Sequence, residues 1–66
     1  MDYSAVHAIF LRHVAAAGSH RAFARMAGVS AIHVGDVVHG RRKAGPAILA
    51  AIGIERRVEF VQVRRA

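Results

Sequence analysis

Sixty-six residues suit one small domain spanning 1–66, and the absence of Cys excludes disulfides, thiolate zinc sites and cysteine nucleophiles. Ten Lys and Arg stand against four Asp and Glu, a net charge of +6. In so small a chain that balance points to a polyanionic partner (DNA, RNA or an anionic membrane surface), against the plainer alternative of a merely soluble basic protein.

The longest uncharged apolar stretch, Ala44 to Ile54, contains Pro46 and is too short to span a bilayer. Met1-Asp2-Tyr3 lacks the basic start of a signal peptide. The expectation is a soluble, cytoplasmic chain.

In chain order, Val6, Ile9, Phe10, Val14 and Ala17 recur every three or four residues, which predicts a first helix from Tyr3 to Ala17 with one buried stripe. Asp2 or Ser4 can cap its start and Gly18 can end it. Ser19 then caps a second helix, His20 to Ala27, whose inner face is Phe23, Ala24 and Ala27. Gly28 closes it, Val29 anchors the turn, and Ser30 caps a third helix reaching about His39, with Val34, Val37 and Val38 inward and Gly40 as its stop. Pro46 suits the first turn of a fourth helix with Ile48, Leu49 and Ile52 on its apolar face and Gly53 at its end. The final segment changes period. Val58, Phe60 and Gln62 alternate with Glu59, Val61 and Val63, which predicts a short strand over about 57–63. A lone strand must pair with another segment or another chain.

A short capped helix, a left-handed Gly with an apolar neighbour, and a second capped helix together describe a helix-turn-helix over 19–39. Ala24 is small where the second helix crosses, Gly28 tolerates positive φ, and Val29 with Val34 fixes the angle between the helices. The stretch "SHRAFARMAGVSAIHVGDVVHGRRKAGPAIL" resembles the XRE or Cro-like helix-turn-helix family of phage and plasmid regulators, with His20, Ala24, Gly28, Val29, Ser30, Val34, Gly40 and Arg41 falling on the family pattern. Two positions depart from it. His20 stands where the family usually has Gln, and Gly35 lies inside the third helix at a cost of about 1 kcal/mol relative to Ala. Gly35 is open to two readings, close approach to DNA or a crowded helix crossing.

The resemblance implies a mainly α, four- to five-helix Cro/repressor-like domain whose third helix enters the major groove. Ala31, Ile32, His33, Gly35 and Asp36 would then face base edges. Ala31 and Ile32 offer apolar contact to thymine methyls, His33 a donor to guanine or phosphate, and Asp36 an acceptor for cytosine N4 or a partner for a neighbouring Arg. Phosphates would be met by Ser19, His20 and Arg21 at a helix N-terminus, by Arg25 and Ser30, and by the loop Arg41, Arg42 and Lys43. The expected function is a small homodimeric repressor or autoregulator of a phage or mobile-element operon, including the anti-CRISPR-associated type, reading an inverted repeat. The strand residues Val58, Phe60, Val61 and Val63 would form the dimer interface. The alternative is an antitoxin or protein-interaction module that keeps the same fold.

Other classes fit poorly. His7 and His13, and His33 and His39, are spaced six apart, a turn of about 600° that puts neither pair on one face. No His pair stands at i, i+4, so neither a metal nor another cofactor is expected. Four carboxylates without Cys or a Gly-rich phosphate loop leave no nucleophile, base and orienting group for an enzyme. A membrane-surface helix would spread its basic residues along one polar face, whereas here they cluster beside Gly40 and after Gly53. No small-molecule ligand is expected.

Overall fold

The computed structural model describes residues 2–54. Among them stand four helices and no strand: α1 (Tyr3–Ala17), α2 (His20–Ala27), α3 (Ala31–Val38) and α4 (Pro46–Ala51). The mainly helical reading holds, with four helices described rather than five. The strand expected over about 57–63, with Val58, Phe60, Val61 and Val63, lies outside the described residues. No described helix is long and apolar enough to cross a membrane.

The helix ends are set by local chemistry. Asp2, not Ser4, caps α1, its carboxylate accepting from the Ala5 N–H at 3.0 Å. Ser19 and Ser30 do the same for α2 and α3, accepting from the N–H groups of Ala22 and His33 at 3.0 Å each. Each such cap satisfies a donor that the first helical turn leaves without a partner. Gly28 ends α2 at φ +74°, and a β-carbon there would meet nothing within 4 Å. The backbone conformation, not space, therefore calls for glycine at this turn. The turn is closed by the Val29 N–H donating to the Ala24 carbonyl at 3.0 Å. α3 stops at Val38 with His39 as its C-cap, and α4 stops at Ala51 with Ile52 as its C-cap.

The core is built on α2, which packs against each of the other three helices. Phe10, Phe23, Val34, Val37 and Ile48 have no solvent exposure. Phe10 of α1 and Phe23 of α2 meet edge-to-face, with centroids 5.5 Å apart and ring planes at 82°. That geometry adds about 0.5–1.5 kcal/mol to simple burial. Val6, Val14, Ala24, Leu49 and Ile52 complete the core, while Ile9, Ala17, Ala27, Val29 and Val38 line its border half-buried. Ala44 is also buried, although it lies in the loop before α4 and no helical spacing singles it out.

Candidate nucleic-acid interface

The burial of Val34 and Val37 fixes which way α3 faces. With about 100° of turn per residue, Ile32, Asp36 and His39 share the opposite side. Ile32 is 79% exposed, more than the other exposed large hydrophobics of the described residues, Met26 and Leu11. Of the five residues expected to read bases, Ile32 and Asp36 lie on this outward face. Gly35 borders it, with a position for a β-carbon 3.6 Å from the His20 ring Nδ1. That places Gly35 against the first residue of α2, at a helix crossing, and the distance is ordinary van der Waals contact. His33 is half-buried on the flank, and Ala31 packs half-buried against the core. His39, exposed at the C-cap of α3, belongs to the outward face, and sequence reasoning did not place it there. Its signal was the spacing of seven from Ile32.

Asp36 organises the start of the loop that follows. Its carbonyl accepts from the backbone N–H of Arg41 at 2.8 Å and of Arg42 at 3.4 Å. Its carboxylate accepts from the Arg41 guanidinium at 3.4 Å. The ion pair is exposed on the Arg41 side, and pairs of this kind contribute about 0–1 kcal/mol. Of the two sequence readings for Asp36, its carboxylate has the neighbouring Arg as partner in this structure.

Arg41, Arg42 and Lys43 are all exposed. The Lys43 ammonium lies 5.2 Å from the centroid of the Tyr3 ring, within cation–π range, so its stem is folded back toward α1. Arg21 and Arg25 are exposed on α2, four residues apart and so on one face. Arg25 sits in the last turn, where the helix dipole favours a cation. Ser19, His20 and Arg21 stand at the opposite end, where the first backbone N–H groups point away from the helix. The hydroxyl oxygens of Ser19 and Ser30 already serve as caps. Residues 2–54 carry six Arg and Lys against two Asp, a formal net charge of +4 for the described part of the chain.

Two residues of α1 touch this region and were not among the sequence candidates. The Tyr3 hydroxyl accepts from the Ala44 N–H at 2.9 Å, and the His7 ring donates from Nε2 to the Val37 carbonyl at 2.8 Å. The spacing of Tyr3, His7 and Phe10 along one face of α1 could have marked them, but partners some thirty and forty residues away leave no local signal. Among the described residues no three His, Cys, Asp or Glu lie together in a way that could hold a metal ion. Comparison with protein-family models, with curated proteins and with solved structures gave no match.

Proposed function

We propose that this domain binds double-stranded DNA, with α2 and α3 acting as a helix-turn-helix pair and α3 lying in the major groove. The observation that carries the reading is one of adjacency. A solvent-facing side of α3 runs directly into an exposed loop with two Arg and one Lys, and the loop is tied to α3 through Asp36. A base-reading surface beside a phosphate-binding loop is what groove recognition needs. Ile32 would meet thymine methyls, His33 and His39 would supply donors, and Arg41 and Arg42 would neutralise phosphates. Ser19, His20 and Arg21 would meet a further phosphate at the start of α2.

In this reading the protein is a small repressor or autoregulator resembling the XRE or Cro-like regulators. It acts as a homodimer on an inverted repeat, held together through Val58, Phe60, Val61 and Val63. A protein-interaction module or antitoxin is the second reading. It is favoured by one observation: the outward face of α3 carries an exposed Ile32 and no Arg, Lys, Asn or Gln. An apolar side chain on such a face suits a protein contact as well as it suits a thymine methyl.

A gel shift against the DNA upstream of the protein's own reading frame separates the two. A discrete, salt-sensitive complex, outcompeted poorly by random duplex, supports the operator reading. Folded protein that shifts neither that DNA nor random duplex removes it in favour of the interaction module.

A further inference from the structure

We infer that Tyr3 and His7 are positioning residues for DNA binding: α1 holds the basic loop in place from behind without touching the nucleic acid. The inference rests on the DNA reading above and adds to it the part of the molecule that sets the geometry of the phosphate contacts.

The loop between α3 and α4 has no regular structure of its own, so its course depends on what fastens it. At its start the fastener is Asp36, whose carbonyl takes the N–H groups of Arg41 and Arg42. At its far end the fastener is Tyr3. The Ala44 N–H donates to the Tyr3 hydroxyl at 2.9 Å, and Ala44 itself is buried. Without that hydroxyl, this part-buried backbone donor has no other acceptor among the described residues, a loss that costs free energy. The same tyrosine ring lies under the Lys43 ammonium. One side chain thus takes hold of two successive loop residues, by a hydrogen bond and by its ring face.

His7 fastens the helix from which the loop departs. The Val37 carbonyl can only accept, so Nε2 carries the proton in this bond, and both the neutral Nε2–H form and the imidazolium can make it. Val37 is in the last turn of α3, and its carbonyl also accepts from the Gly40 N–H at 3.1 Å. His7 therefore binds at the point where α3 turns into the loop. The His7 ring stands between those of Tyr3 and Phe10, with centroids at 5.9 and 5.8 Å. The chain of contacts runs from the fully buried Phe10 through His7 and Tyr3 to the loop. A loop preorganised in this way loses less conformational entropy when its guanidinium groups engage phosphates.

The test is Tyr3→Phe, which keeps the ring under Lys43 and removes only the acceptor. It is read by amide hydrogen exchange and by affinity for a random-sequence DNA duplex, since phosphate contacts need no operator. The Ala44 amide should exchange about tenfold faster or more in the variant. Duplex affinity should fall several-fold, with the helical circular dichroism unchanged. In an Arg41→Ala/Arg42→Ala/Lys43→Ala background, Tyr3→Phe should have no further effect on affinity, because all three loop cations are gone. His7→Ala should act in the same direction, and His7→Gln, which keeps a donor, should restore part of the loss. An equal Ala44 exchange rate in the two proteins overturns the inference, as does an affinity loss of the same size in both backgrounds. Wild-type protein with no affinity for duplex sinks the DNA reading and the inference together. Wild-type binding that Tyr3→Phe leaves unchanged sinks the inference alone.

Discussion

The two ends of this small domain are held by different physics. Where α1 meets α2, stability comes from area: Phe10 and Phe23 are without exposure and interlock edge-to-face. Where α3 passes into α4, Asp36, Tyr3 and His7 fasten an exposed, positively charged loop through individual hydrogen bonds. The first region tolerates change poorly because packing is dense and the domain is small. The second can exchange its exposed side chains with little effect on folding, which is the freedom a binding surface requires. The proposed phosphate contacts thus fall on exposed side chains of the loop, outside the buried core.

The largest effect should come from breaking the first region. Phe23→Ala removes about 3–5 kcal/mol, comparable with the whole stability expected of a domain this size. The variant should be largely unfolded at 25 °C by circular dichroism, and a urea midpoint close to that of the wild type would contradict the account of the core. Next comes the pair Arg41→Ala/Arg42→Ala. Stability should stay within about 1 kcal/mol of wild type, since both side chains are exposed, while duplex affinity drops about tenfold or more. Equal losses in stability and affinity would mean that the two regions are not separable.

Ser30→Ala tests the joint between them. Removing the α3 cap should cost about 1 kcal/mol, read as a lower urea midpoint with unchanged slope. The smallest change sharpens the comparison most. At Gly35 an added β-carbon makes only ordinary contact with His20, so Gly35→Ala should gain up to about 1 kcal/mol from helix propensity. A variant that is more stable and binds duplex normally shows that neither crowding nor close approach to DNA requires glycine at position 35. One that is more stable but fails to bind identifies it as a point of close approach to DNA.

Local order was legible in the sequence because its causes are local. Ser19, Ser30, Gly18, Gly28 and Pro46 mark helix ends by side-chain chemistry or backbone freedom, and the structure puts ends at each. The spacing of Val6, Phe10 and Val14 identified the buried face of α1 for the same reason. What escaped depends on distant partners. Ala44 lies in a loop, and it is buried in the core with its N–H donating to a tyrosine some forty residues away. His7 is half-buried, and its bond to the Val37 carbonyl crosses thirty residues. The loop cations were visible as a cluster, whereas the fasteners that aim them were not.

The central claim is that the exposed loop after α3 binds DNA phosphates, and the salt dependence of duplex affinity tests it most directly. Wild type and Arg41→Ala/Arg42→Ala, both shown to be folded, are titrated with one duplex over a range of salt concentrations. The account predicts a steep log–log slope for the wild type, made shallower by about 1.8 in the double variant, about 0.9 for each lost phosphate contact. Two equal slopes, or a wild type whose affinity is insensitive to salt, would contradict it.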